Sequence, residues 1–400
     1  MAKYEISVAG CGPGGLAAAL LLQGDGHRVT VFERFDVPQP VGSGLMLQPT
    51  GLAVLDRLGL GERARAQGAR IDRLFGQSAP SGRTVLDVGY RALRTPGLYG
   101  VGIHRATLFA LLFEAVMEAG IAVETGRTIA GSTTGAKGRR CLIFENGTQA
   151  GPFDLIVDAL GSRTPLAPPT GRTLDYGALW ASLDWPADTA FDPHALEQRY
   201  RAASTMVGVL PTGTGAASAH QAAFFWSLRG DAFTAWQATG LDAWKAQVLS
   251  LWPACAPLLD QIDTPARLTF ARYAHRTLAR PAEPALIHIG DAWHSASPQL
   301  GQGANMALLD AWAVAQGLRE ASSHVDAAIG RAVALRRRHI VLYQTLSSLF
   351  TPVYQSDSRV LPFVRDTVVG PLSKLWPATS IQAAMVSGLV GNPLAALGLD

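Results

Sequence analysis

Four hundred residues are too many for one simple core, and ordinary domain sizes divide such a chain into two or three subregions. Hydrophobic residues make up 48% and charged residues 16%, so a large buried core or an apolar ligand cavity is expected. The formal net charge is only +3 and the basic residues are scattered, which excludes the concentrated positive footprint that nucleic acid needs. The one tight cluster, Arg336, Arg337 and Arg338, reads as the solvated face of a helical segment. Cys11, Cys141 and Cys255 are widely spaced, with no CxxC pair and no metal-ligand pattern, so no metal and a reducing cytoplasm are expected. Met1 to Gln23 could pass for a signal peptide, but a strand, glycine turn and helix explain its apolar character better. No run reaches the roughly 18 uninterrupted apolar residues of a membrane span, so the protein is expected to be soluble.

Tyr4 to Ala9 read as a buried parallel strand, followed at once by Gly10-Cys11-Gly12-Pro13-Gly14-Gly15 and a helix from Leu16 to Gln23. In this GxGxxG unit Gly10 permits the tight turn, Gly12 lets a diphosphate approach the backbone, and Gly15 allows close helix packing. The helix N-terminus supplies free amides for the diphosphate. His27 to Phe32 form a second strand ending at Glu33, where an acid meets ribose hydroxyls, and Arg34 follows it in the candidate site. The unit predicts a dinucleotide site without separating FAD from NAD.

Four further stretches recur in chain order. Gly42 to Pro49 is a small-residue loop containing Gly44, Leu45, Leu47 and Gln48, and Gly102 to Leu108 places Arg105 at the start of a helix. Asp154 to Thr164 reads DLIVDALGSRT, with Gly161 after an apolar strand. Ala285 to Ile289 form another strand, followed by Gly290-Asp291-Ala292-Trp293-His294-Ser295-Ala296-Ser297-Pro298-Gln299-Leu300-Gly301-Gln302-Gly303-Ala304-Asn305 and a helix from Met306 to Leu318. This last segment resembles the second signature of the flavoprotein monooxygenases typified by para-hydroxybenzoate hydroxylase: GD, then AxH, P, GQG and N before a helix. The other three stretches resemble that family's flavin loop, its HRxxL segment and its DLVIGADGxxS segment.

The resemblance implies FAD as cofactor. Asp291 would accept hydrogen bonds from ribityl or ribose hydroxyls, and Gly301 to Gly303, with Ala304 and Asn305 opening the helix, would set amides beside the pyrimidine edge of the flavin, where reduced flavin is negative. Gly44, Leu45 and Gln48 would lie along the ring, and Arg105 and Gly161 would reach the cofactor. Leu160 stands where the family carries an aspartate linked to FAD binding and to use of the pyridine nucleotide. NADH or NADPH is therefore an uncertain reductant beside externally supplied reduced flavin or a flavin reductase. Asp158 would compensate only if the local turn is unchanged.

The implied fold class is α/β: a Rossmann-type, glutathione reductase-like FAD-binding domain, an inserted sheet-based substrate domain and a helical C-terminal region. Residues 1–69, 97–172 and 271–326 are assigned to the first, 70–96 and 173–270 to the second, and 327–400 to the third. Phe224 and Trp226 share one strand face, Phe225 and Ser227 the other, and the sequence does not say which lines the pocket; Trp180, Phe224 and Trp226 are the candidates. Leu342, Leu346, Leu349 and Phe350 stand at helical spacing, and Pro352, Pro362, Pro371 and Pro377 divide the tail. The mainly helical region from Ala327 onward reads as a cover for the cofactor domain, with a membrane or partner surface the lesser alternative because Met385 to Leu397 is apolar and uncharged.

By resemblance, reduced FAD and dioxygen form a flavin C4a-hydroperoxide whose distal oxygen is transferred to a small aromatic or apolar substrate. The protein's part is to exclude water and orient the substrate, so no nucleophile and base pair is expected. Pro298 and Leu47 are assigned beside the ring, and His294 to either a structural hydrogen bond or proton transfer. The rival readings are a reductase or dehydrogenase of the same fold without oxygen transfer, and a noncatalytic flavin-binding interaction protein. A halogenase is disfavoured because no WxWxIP segment is present.

Overall fold

The computed structural model describes residues 3–39, 42–79, 81–93, 95–215, 219–321 and 324–400. Glu5–Ala9 is buried over its last four residues and pairs in parallel with Arg28–Phe32 on one side and Leu155–Asp158 on the other. Continuous burial is what a central parallel strand requires, because both of its faces are covered. Leu286–His288 and Ala122–Glu124 extend the sheet outward, and Ala282–Glu283 closes one edge in antiparallel fashion. Helix Pro13–Gly24 buries Leu16, Ala17, Leu21 and Leu22 in a core shared with helix Gly303–Glu320. Ile129–Thr134, Arg140–Phe144 and Gln149–Phe153 form an antiparallel meander whose Leu142, Phe144 and Phe153 pack on Phe32 and Ile156.

The second large sheet runs in the order Thr269–His275, Arg172–Asp184, Gln221–Arg229, Thr205–Gly213, Ala195–Arg201, Arg73–Ser78, Thr84–Gly89. Both separated stretches, near residues 70–96 and 173–270, thus enter one sheet, although its outer strand continues to His275 instead of stopping at residue 270. One face of Gln221–Arg229 meets helix Leu241–Leu251. There Phe224 and Trp226 stand edge-on to Trp244, with ring centroids 6.0 and 6.3 Å away. The opposite face carries Ala223 and Phe225 and looks toward the loop strand Gly44–Leu47. The architecture is the expected one, a Rossmann-type FAD-binding fold with an inserted sheet and a helical C-terminal region.

Helix Val325–Tyr354 buries a mostly polar side. Leu349 is 65% exposed, and the buried face runs through Ala332, Arg336, His339, Tyr343, Ser347 and Thr351 at steps of three and four. Arg336 is therefore no part of a solvated cluster: it is 1% exposed, while Arg337 and Arg338 do face solvent. Pro352 sits in the last turn and does not end the helix, which continues to Tyr354. The stretch 385–397 covers the cofactor fold, with Leu397 buried and its carbonyl accepting from Trp312 Nε1 at 2.8 Å.

Candidate active site

At the first glycine turn Gly10 has φ +103°, and a Cβ on Gly15 would lie 2.2 Å from the Gly10 carbonyl oxygen, so the crossing of turn and helix needs glycine there. Gly12 differs. A Cβ built on it meets nothing within 4 Å, and its φ of −70° suits any residue. Nothing in the protein claims that space, which lies at the N-terminus of helix Pro13–Gly24, where amides point outward. Glu33 accepts from Cys11 N at 3.0 Å and from Phe35 N at 3.1 Å, so the acid is fixed against the turn. Arg34 is exposed and stacks over Phe35 at 4.5 Å. Burial and the Glu33 charge push the Cys11 thiol up to about 12, which removes it as a nucleophile.

At the flavin end Asp291 is closely surrounded by protein and yet accessible to solvent, so its carboxylate lines the wall of a cleft. Enclosure raises its pKa, opposed by neighbouring His294 and Arg105. Pro298 and Gly303 are also exposed, and Gly301 has φ +62°. A Cβ on Gly303, at the start of an 18-residue helix, would meet nothing within 4 Å. Two helix N-termini and one carboxylate with room before them fit an extended dinucleotide carrying hydroxyl groups and a diphosphate.

Several predicted residues hold this cleft from behind instead of lining it. Asn305 Oδ1 accepts from Gln48 N at 2.8 Å, and its Nδ2 donates to the carbonyls of Met46 and Gly301, both at 3.0 Å. Gln48 Oε1 accepts from Tyr90 OH at 2.5 Å, and Gln302 Nε2 donates to the Val386 carbonyl at 2.5 Å. Gln48 and Asn305 are 0% exposed, so they pin the two flavin-side loops together without reaching the cleft. Leu47, assigned beside the ring, is likewise 0% exposed and belongs to the main core. Gly44 serves packing too: a Cβ there would lie 2.5 Å from the Ala223 methyl.

His294 is buried, and its Nε2–H donates to Asp310 Oδ2 at 2.5 Å, a hydrogen bond of the structural kind. The same oxygen accepts from Gly290 N at 2.9 Å, and Asp310 Oδ1 accepts from Arg336 Nε at 2.7 Å. Burial would raise the Asp310 pKa, but His294 and Arg336 hold it at about 2. Arg336 Nη1 also donates to His339 Nδ1 at 2.9 Å, so the His339 Nε2–H must donate to the Gly388 carbonyl. This chain of buried polar groups fastens the turn before Asp291 to the C-terminal helices. Sequence reading missed Asp310 altogether.

On the substrate side Phe224 and Trp226 are corrected to core residues of the sheet and helix layer. The face toward the flavin loop instead carries Phe225, whose ring centroid lies 4.8 Å from that of Trp180. Trp180 Nε1 donates to Tyr273 OH at 3.0 Å, and burial pushes the Tyr273 hydroxyl up to about 12. Met46, Tyr90, Leu210 and Ala223 continue this apolar wall. Arg105 acts electrostatically on both Tyr273 and Asp291, lowering the pKa of each against the effect of burial.

Asp158 is already engaged within the protein. Its carboxylate already accepts from Thr164 Oγ1 at 2.6 Å and Leu160 N at 2.9 Å and pairs with His288 Nδ1 at 2.6 Å, all fully buried on the acid's side. Leu160 packs against the cluster containing Ala9, Phe32 and Ile156. Among the described residues no group of three His, Cys, Asp or Glu side chains could hold a metal ion.

The chain matches the FAD binding domain family over residues 3–329. It is 36% identical over 120 residues to 3-hydroxybenzoate 6-hydroxylase 1 of Aquipseudomonas alcaligenes, a match spanning 29% of this chain and only 30% of that enzyme. It is 28% identical to 6-methylpretetramide 4-monooxygenase of Streptomyces rimosus over 84% of this chain and 81% of the relative. The crystal structure of Klebsiella pneumoniae HpxO complexed with FAD and uric acid superposes with a TM-score of 0.80 at 19% identity, covering 98% of both chains, a likeness of fold.

Proposed function

The chain belongs to the FAD binding domain family, and from that premise we propose that it is a flavin-dependent monooxygenase hydroxylating a small aromatic or largely apolar substrate with dioxygen. The observation that carries this reading is an apolar aromatic wall of Trp180, Phe225 and Tyr273 on the sheet face that packs against the loop strand Gly44–Leu47. The names of the relatives, which include a 3-hydroxybenzoate hydroxylase, support an aromatic acceptor. Bound FAD supplies the redox chemistry with oxygen. The chain's own residues do the rest: Gly12 and Gly303 leave room at two helix N-termini for the diphosphate and the flavin edge, Asp291 accepts from hydroxyls, and Pro298 borders the cleft. Tyr273, un-ionised at neutral pH, keeps a proton to donate to a polar substituent of the substrate, and the surrounding apolar side chains exclude water.

Leu160, with Asp158 fully engaged, supports slow direct reduction by NADH or NADPH, with a reductase or supplied reduced flavin serving better. The three cysteines, all free, support a reducing, cytoplasmic setting. The test is an oxygen-uptake screen of the holoprotein over phenols and arylamines, with NADH, NADPH or chemically reduced flavin as electron source. Substrate-dependent uptake with a hydroxylated product is expected. Reduction of a substrate without oxygen consumption would assign the chain to the reductases of the same fold.

A further inference from the structure

The segment joining helices Val325–Tyr354 and Ala378–Ser387 turns its apolar side chains to solvent. Val360–Val364, Arg365–Val369 and Gly370–Leu372 form one continuous helical run. In it Val360, Val364, Val368 and Leu372 succeed one another at steps of four, with Phe363 beside Val364, and all five are exposed. Val360 is 68% exposed, Phe363 66% and Leu372 57%, and Leu375 and Trp376 continue the surface. The charge points the other way. Arg365 is 1% exposed and donates to Asp366 and to the carbonyls of Val353 and Ala202. A helix facing only water has the reverse arrangement, and a contiguous apolar patch marks a contact surface.

The rim of the patch is basic. Arg359 and Lys374 flank the run, and both are exposed. Arg83 and Arg91, also exposed, lie on adjoining segments, since a Cβ on Gly370 would lie 3.0 Å from the Thr84 carbonyl and Ser380 Oγ donates to the Ala92 carbonyl at 2.9 Å. The nearby acids are spent in pairs: Asp366 with Arg365, Asp87 with Arg73, and Asp357 with Arg229. We propose that this face docks on an anionic lipid membrane, seated in the headgroup region with Phe363, Val368 and Leu372 inward and the basic rim on lipid phosphates. Among the described residues no helix is long and apolar enough to cross a membrane, so the contact is interfacial. The next helix carries Ala383 and Val386 into the apolar wall beside Met46 and Tyr90, which brings the lipid surface close to the proposed substrate cavity. Docking itself does not depend on oxygen transfer.

Co-sedimentation of the full-length flavoprotein with vesicles tests this. Phosphatidylcholine vesicles containing phosphatidylglycerol should bind it at least about tenfold better than phosphatidylcholine alone, and salt should weaken the binding. The variant Phe363→Ser/Val368→Ser/Leu372→Ser should lose at least about tenfold in partitioning, with FAD content and melting temperature unchanged because those side chains are exposed. Arg91→Gln/Lys374→Gln should lose only the preference for anionic lipid. Absence of parent binding to either vesicle, or parent-like binding by both variants, would overturn the proposal. So would concentration-dependent dimerisation that the serine variant abolishes without any vesicle binding, which would assign the face to a second copy of the chain.

Discussion

Substituting Gly12 and Gly15 separately should divide cofactor binding from folding. The Cβ of Gly12→Ala meets no protein atom within 4 Å and the backbone there, at φ −70°, suits alanine. The stability of the apoprotein should therefore change by no more than about 0.5 kcal/mol, the range of a substitution away from packing, caps and strain. That Cβ does enter the space through which a diphosphate reaches the helix amides. Losing one hydrogen bond to a charged group costs about 1.5–3 kcal/mol, so FAD affinity should fall roughly 10- to 150-fold. Gly15→Ala is the contrast, since its Cβ would lie 2.2 Å from the Gly10 carbonyl oxygen and 3.1 Å from Ala159 Cβ; the fold itself should suffer. Urea unfolding of the apoproteins and titration of FAD by flavin fluorescence quenching measure the two quantities. Parent-like FAD affinity in Gly12→Ala would mean that the diphosphate does not lie against this turn, and the placement of the cofactor would have to be abandoned.

Arg336→Met leaves Asp310 buried beside His294 without its second partner and should cost about 3–5 kcal/mol in unfolding free energy, whereas Arg337→Ala should stay within about 0.5 kcal/mol; equal effects would refute the buried tie. Burial and Arg336 lower the His339 pKa to about 3, from an ordinary 6.5, so the folded state refuses a proton that the unfolded chain accepts. Its contribution is complete above about pH 6.5 and is lost as the pH falls below that, by up to about 1.4 kcal/mol per unit. His339→Gln should flatten that part of the stability profile, and an unchanged slope would count against it. Asp291→Ala should weaken FAD binding by about 1.5–3 kcal/mol, and unchanged affinity would remove Asp291 from the site. Leu160→Asp should accelerate anaerobic flavin reduction by NADH or NADPH in stopped-flow traces without altering FAD content; rapid reduction of the parent would show that leucine is tolerated there.

What could be read from the sequence was local. The turn from Gly10 to Gly15 and the segment from Gly290 to Asn305 carry their geometry within a few residues, and spacing alone exposes it. Contacts across long separations left no such trace. Asp310 looks like any helix acid until it is seen to hold Gly290 N, His294 and Arg336, and Arg336 looks like its exposed neighbours until helix Val325–Tyr354 turns it inward. Strand alternation separated Phe224 from Phe225, but only the packing of Trp244 decides that Phe224 belongs to the core. Asn305 and Gln48 share a motif region with the residues proposed to line the cleft, and motif position does not distinguish a group that touches a ligand from one that braces the loop. The apolar tail drew attention to residues 385–397, whereas the exposed apolar side is the preceding run from Val360 to Leu372, where prolines interrupt the pattern.

The central claim is oxygen insertion, and isotope labelling tests it most directly. The holoprotein, supplied with reduced flavin, an accepted phenol or arylamine and oxygen-18-labelled dioxygen in ordinary water, should give a product in which one heavy oxygen atom has been incorporated, read by mass spectrometry. A product whose new oxygen derives from water would contradict the account.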